Sequence, residues 1–135
     1  MPMSAQIEML REAYEALNSR EWERSPEFMH EEITWNFVEG AAPDAPQTLT
    51  GASEIIEFWG FFFTAWEEWE MSPKDFAEAP GGEILASVHF HARGTGSGVP
   101  MDFDFWQVIT MRDARIQRVD NYLTRARARA ACGLG

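Results

Sequence analysis

Cysteine, basic residues and long apolar runs are all scarce in this 135-residue sequence. The one cysteine, Cys132, cannot form an internal disulfide, and we therefore expect a protein of the reducing cytoplasm. Only 11 lysines and arginines stand against 22 acidic residues, so the formal charge of -11 repels phosphate backbones and anionic lipid. The most apolar stretch, residues 59–66, is far shorter than the roughly 20 residues that span a bilayer. These deficits argue against nucleic-acid and membrane roles.

Apolar and aromatic residues, by contrast, are abundant. Hydrophobic residues make up 45% of the chain, with 6 tryptophans and 10 phenylalanines, so enough apolar surface exists to offset the chain entropy lost on folding. A length of 135 residues is typical of one compact domain. We therefore expect a single globular domain over residues 1–135.

Two stretches show helical periodicity. Apolar residues recur every three or four positions over residues 3–17 and 53–69, which predicts an amphipathic helix in each. Ser53 is placed to cap the second of these helices. A shorter helical piece is expected between them, over residues 22–29, and a proline-containing loop over residues 40–47.

Alternation of apolar and polar residues predicts five strands. One lies between the predicted helices, and four follow Pro73, joined by turns rich in glycine and proline. This order contains no regular alternation of strand and crossover helix, which favours an α+β fold over a parallel sheet. The predicted strands are residues 33–38, 75–79, 84–92, 99–111 and 116–123, with a short helix after the last.

Short segments spread along the chain carry a resemblance to a known family. They are Glu32-Ile33-Thr34-Trp35, Thr50-Gly51, Phe58-Trp59, Ala65-Trp66, residues 94–99, Phe105-Trp106-Gln107-Val108 and Tyr122-Leu123. In order and spacing the chain resembles the SnoaL-like branch of the nuclear-transport-factor-2-like superfamily, which also holds ketosteroid isomerases, limonene epoxide hydrolases and scytalone dehydratases. The resemblance implies a cone-shaped α+β fold. In it a curved mixed or antiparallel sheet wraps three helices of the N-terminal half, leaves a ligand pocket between them, and is followed by a short C-terminal helix.

The resemblance also shows where catalytic residues of the superfamily would fall. SnoaL-like polyketide cyclases pair a histidine with an aspartate, at positions occupied here by Gln107 and Asn121. An amide does not titrate near neutral pH, so neither side chain can be a general base. Near Gln107 the ketosteroid isomerases polarise a substrate carbonyl, for which a hydrogen-bond donor suffices, but their basic aspartate corresponds to Phe37. The alternative is that the two amides simply satisfy each other's hydrogen bonds inside an apolar core.

Alternation on the strand over residues 99–111 identifies the face expected to line the pocket. That face is almost entirely large and apolar, with Gln107 as its one polar member. A tyrosine on the first helix and two aromatic residues on the first strand are expected to face the same space. The candidate ligand-binding residues are Tyr14, Trp35, Phe37, Phe103, Phe105, Gln107, Ile109 and Asn121.

The hairpin between the last two strands decides which side chains of the final strand point inward. A two-residue loop would set Gln107 opposite Asp120. A three-residue loop, with Ala114 in a left-handed conformation, would instead place Gln107 beside Val119 and close to Asn121. We favour the three-residue loop, because it turns the apolar residues of the last strand inward and its charged residues outward.

His89 and His91 are two positions apart on a strand and therefore share a face. With Asp102 or Asp104 as a third ligand they could hold a metal, but the apolar residues of the strand alternate with them and predict that they lie on the solvated face. We expect no metal and no cofactor. If His89 faced inward it would be the best available base, and Glu39 is a weaker candidate for a base of raised pKa at the pocket mouth.

Two functions remain open. The first is an isomerase-, cyclase- or hydrolase-type protein that holds a small hydrophobic molecule in the pocket, and the second is a non-catalytic ligand-binding or dimeric scaffold protein of the same fold. If a reaction is catalysed, the candidate residues are His89, Gln107 and Asn121. A homodimer is expected from apolar residues on the outer face of the sheet, namely Trp106, Val108, Ile116 and Tyr122.

Overall fold

The computed structural model of the protein describes residues 2–39 and 47–135, and within them three helices and six strands. No helix in these two ranges has both the length and the apolar character needed to cross a membrane. The α+β class predicted from the sequence is confirmed. The predicted loop at residues 40–47 falls, except for Gln47, outside the described residues. The elements are α1 (Met3–Asn18), β1 (Met29–Phe37), β2 (Thr48–Thr50), α2 (Gly51–Phe62), β3 (Trp66–Glu78), β4 (Ile84–Gly94), β5 (Pro100–Arg112), β6 (Arg115–Tyr122) and α3 (Arg125–Ala131).

Helix α1 forms where the apolar periodicity predicts it, and it buries Leu10, Tyr14 and Leu17. Its last residue, Asn18, fastens the helix to β3 by exchanging two hydrogen bonds with the backbone of Met71, at 2.7 and 2.8 Å. The helical piece predicted over residues 22–29 is wrong in extent. It is reduced to a 3-10 turn at Ser25–Phe28, and β1 begins directly after it rather than at residue 33.

The second long helix is also shorter than predicted. Helix α2 ends at Phe62, follows Thr50 rather than being capped by the Ser53 side chain, and gives way to a 3-10 turn and then to β3. The helix was predicted to be too long because a β-bulge between Trp66 and Glu68 places Trp66 and Trp69 on one face of β3 at a spacing of three. That spacing is what a helix would show, so periodicity alone extended the helix too far.

The six strands form one open mixed sheet in the order β2-β1-β6-β5-β4-β3. β1 and β6 pair in parallel, and all other neighbouring pairs are antiparallel. The strand predicted to start after Pro73 is longer, because β3 runs through this residue. A proline is tolerated at position 73 because β3 is an edge strand and a β-bulge follows directly after the proline.

The hairpin between β5 and β6 differs from both alternatives considered above. Its loop has two residues, Asp113 and Ala114, each with a left-handed backbone (φ 52° and 61°), as in a type I′ turn. A bulge then shifts the register between Thr110 and Met111, so that Gln107 pairs directly with Asn121. The favoured three-residue loop is therefore wrong, although the inward placement of Asn121 that it predicted is observed.

The sheet separates two apolar clusters. On its inner face the main core packs against α1 and α2, and on its outer face α3 covers a smaller cluster that includes Val108 and Tyr122. Ile116, expected on the outer face, belongs to the inner core instead, because the bulge reverses the alternation of β6. Part of the apolar surface that suggested a homodimer is thus covered by the protein's own C-terminal helix, and the homodimer stays a prediction.

Candidate functional site

The described residues enclose two cavities between the inner face of the sheet and the helices. The larger has a volume of about 470 Å³, within the roughly 300–1,000 Å³ usual for small-molecule sites. The smaller, of about 50 Å³, lies nearer α1. Trp35 and Trp59 line both cavities, and their rings meet edge to face at a centroid distance of 5.2 Å.

The wall of the larger cavity is mostly aromatic. Eight of the chain's 10 phenylalanines line it. Their rings contact one another across the elements: Phe37 meets Phe58 at 5.3 Å, and Phe90 meets Phe103 at 5.2 Å. At its mouth Phe61 is 80% exposed and Leu123 49% exposed. Such a wall favours an apolar ligand with flat surfaces.

A chain of buried hydrogen bonds runs between the two cavities. The Tyr14 hydroxyl donates to Oε1 of Gln107, and Gln107 Nε2 donates to Asn121 Oδ1 at 2.9 Å. Asn121 Nδ2 in turn donates to the backbone carbonyl of Asn36 at 3.0 Å. Gln107 lines the small cavity, whereas Asn121 lines the large one. The amides therefore satisfy each other, and they also join the two spaces.

Tyr14 and Glu39 line the two cavities, but neither is placed to act as a general base. Burial raises the pKa of the Tyr14 hydroxyl far above its usual value, so it stays protonated as a donor. The carboxylate of Glu39 lines the large cavity. Partial desolvation raises its pKa, but the hydrogen bonds from Thr124 and Arg127 lower the pKa by more, so that the net pKa is below the ordinary value. The proposal that Glu39 is a base of raised pKa is therefore wrong.

Glu39 instead joins the cavity wall to the C-terminal helix. Its Oε1 accepts hydrogen bonds from the backbone N–H groups of Leu123 and Thr124, both at 3.1 Å. Its Oε2 accepts from the Thr124 hydroxyl at 3.2 Å and from Arg127 at 2.9 Å. This carboxylate satisfies donors that would otherwise be unpaired at the start of α3, and it fixes Leu123 at the cavity mouth.

His89 and His91 lie on the outer face of the sheet, as the alternation of β4 predicted. His89 lies between two carboxylates, with Nδ1 at 2.8 Å from Asp104 and Nε2 at 3.1 Å from Asp102, and His91 Nδ1 is 2.8 Å from Asp102. Within the two described ranges, no group of three or more His, Cys, Asp or Glu side chains has the geometry of a metal site. Because His89 lies on the outer face, the sheet separates it from both cavities.

We predict that the stabilisation from His89 is strongest in mild acid. Hydrogen bonds to Asp104 and Asp102 raise its pKa, so its contribution is complete below the ordinary value of about 6.5 and is lost as the pH rises through the raised value. Both carboxylates have lowered pKa values and are still ionised at about pH 5.5. Urea unfolding of the wild type and of His89→Gln should thus show a larger difference at about pH 5.5 than at about pH 8.5. A difference that does not change with pH would contradict this assignment.

The sequence-predicted ligand residues divide between the two cavities. Trp35 lines both, and His89, which was a candidate catalytic residue, lines neither. Helix α2 and the turn after it also line the large cavity, with Phe58, Phe62 and Phe63, and this contribution was not predicted from the sequence. The available signal was the position of Phe58 and Phe61, which lie off the main apolar stripe of α2 and give this helix a second apolar side. The remaining candidates are Phe37, Phe103, Phe105 and Asn121 in the large cavity and Tyr14, Gln107 and Ile109 in the small one.

The fold and the cavity define the class of protein. An open, six-stranded mixed sheet with helices against its inner face and a short C-terminal helix is the nuclear-transport-factor-2-like cone. Residues 10–119 match the family model of the SnoaL-like domain, and the chain belongs to that family. Among curated proteins, none matches the chain in sequence.

Solved structures share the fold over almost the whole chain. TerC, co-crystallised with polyporic acid, is 22% identical, with a TM-score of 0.77 over 97% of this chain and 99% of its own. An NTF2-like protein of unknown function from Burkholderia pseudomallei is 21% identical, with a TM-score of 0.78 over 96% and 98%. A protein of ketosteroid isomerase-like fold from Catenulispora acidiphila, in complex with trimethylamine, is 15% identical, with a TM-score of 0.73 over 95% and 94%. At these identities the likeness establishes the fold alone.

Proposed function

We propose that this protein binds a small, uncharged, predominantly apolar molecule in the 470 Å³ cavity. The observation that carries the proposal is the cavity wall, in which eight phenylalanines surround a space of ligand size and Asn121 supplies a polar contact. The complex of the fold relative TerC with polyporic acid supports the use of this fold for an organic ligand. Charged ligands are disfavoured, because the carboxylate of Glu39 is already paired with Arg127.

Binding without acid–base catalysis fits the site better than an enzymatic role. In the described part of the chain, the titratable side chains that line the two cavities are Tyr14 and Tyr122, whose pKa values burial raises so that both stay protonated, and Glu39, which is hydrogen-bonded to Thr124 and Arg127. General acid–base catalysis needs a group that gains and loses a proton near the working pH. The amides Gln107 and Asn121 cannot do so.

Binding of the three-ring hydrocarbon fluorene, followed by fluorescence titration, tests the proposal. Phe103 is 39% exposed and contacts Phe90 and Phe105 at the cavity, so Phe103→Ala should weaken binding about three- to tenfold, equivalent to about 0.5–1.5 kcal/mol of aromatic contact. Val99→Ala is the matched control, since Val99 is an exposed apolar residue of the same hairpin that does not line the cavity. Absence of fluorene binding, or an equal loss in both variants, would refute the proposed site.

A further inference from the structure

The direction of the buried hydrogen-bond chain is set by one backbone atom. The carbonyl oxygen of Asn36 can only accept, so the group of Asn121 that faces it must be the Nδ2 amide nitrogen. Asn121 Oδ1 then receives Gln107 Nε2, and Gln107 Oε1 receives the Tyr14 hydroxyl. Neither amide can turn over without placing two acceptors against each other.

With the chain in this direction, hydrogen-bond donors at the large cavity have no acceptor among the described residues. The side-chain amide of Asn121 has two N–H bonds, one of which donates to the carbonyl oxygen of Asn36, while its Oδ1 already accepts from Gln107. On the neighbouring strand Trp35, which also lines the cavity, has a buried indole N–H with no acceptor in the described ranges. Among the described residues that line this cavity, the one carboxylate is that of Glu39, and it already receives four hydrogen bonds.

We propose that the ligand of the large cavity carries a carbonyl oxygen that accepts a hydrogen bond from the spare N–H of Asn121. This inference rests on the proposed function and narrows its ligand class to apolar, ring-containing carbonyl compounds. An N–H group without an acceptor is less well tolerated in a buried site than a carbonyl oxygen that already accepts one bond. A carbonyl ligand would supply the acceptor that the described residues do not provide, and its rings would pack against the phenylalanine wall.

Two probes of nearly the same shape test the inference. 9-Fluorenone has a carbonyl group where fluorene has a methylene group, so the ratio of their dissociation constants isolates the contribution of the oxygen. We compare this ratio between the wild type and variants, which cancels the difference in how water solvates the two probes. One hydrogen bond corresponds to a change of roughly three- to tenfold in the ratio.

Asn121→Asp is the most informative variant because it keeps the size of the side chain. A protonated carboxyl at this position would donate its single O–H to the carbonyl oxygen of Asn36, and an ionised carboxylate would have no donor. In either state no donor remains for the ligand. The preference for 9-fluorenone over fluorene should fall roughly three- to tenfold in Asn121→Asp, and also in Asn121→Leu if this variant folds. An unchanged ratio in Asn121→Asp would overturn the inference while leaving the proposed function intact. Failure of the wild type to bind fluorene would instead overturn the proposed function.

Discussion

Replacing Gln107 by leucine should lower the free energy of unfolding by about 2–4 kcal/mol. Gln107 is 2% exposed and joins Tyr14 to Asn121, so its loss leaves a buried hydroxyl and a buried amide oxygen without partners. Each unsatisfied polar group costs about 1–3 kcal/mol, and the added leucine carbons recover only part of this. Urea denaturation monitored by circular dichroism measures the change.

Gln117→Leu is the matched control for this prediction. Gln117 is a half-buried residue of β6 whose side chain makes no hydrogen bond within the described ranges, so the same substitution there should change the unfolding free energy by no more than about 0.5 kcal/mol. Equal effects of the two substitutions would show that the buried chain of hydrogen bonds does not contribute to stability.

Replacing Phe90 by alanine should be still more destabilising, by about 3–5 kcal/mol. Phe90 is 2% exposed, and its ring contacts Phe62, Trp66 and Phe103. Removing the ring takes away these contacts and extends the existing cavity into the core, so the surrounding side chains gain empty volume. The midpoint of urea unfolding reports the loss.

Phe61 provides the comparison, because it undergoes the same chemical change at the mouth of the same cavity. Its ring is 80% exposed, and Phe61→Ala should therefore alter the unfolding free energy by at most about 0.5 kcal/mol. A loss below about 1 kcal/mol in Phe90→Ala would mean that the wall of the cavity is not packed as described.

The inner face of β5 could be predicted from the sequence because its alternation is unbroken. Phe105, Gln107 and Ile109 are buried, and each lines one of the two cavities, as the period of two indicates. The outward position of His89 followed from the same reasoning on β4. The fold class and the family followed from the order of the elements and from the resemblance.

Three features could not be predicted because each depends on a bulge or a distant contact. The bulge at Trp66 made the start of β3 look helical, and the bulge in β6 compensated for a shorter hairpin loop than expected. The role of Glu39 requires α3 to return to the end of β1, which no local pattern encodes. Sequence periodicity reports which face of a strand is apolar, but it does not report where the strand is interrupted.

A crystal structure of the protein with bound 9-fluorenone tests the central claim most directly. We expect the three rings in the 470 Å³ cavity between Phe58 and Phe103, with the ketone oxygen within about 3 Å of Asn121 Nδ2. Rings bound elsewhere on the protein, with that cavity unchanged, would contradict it.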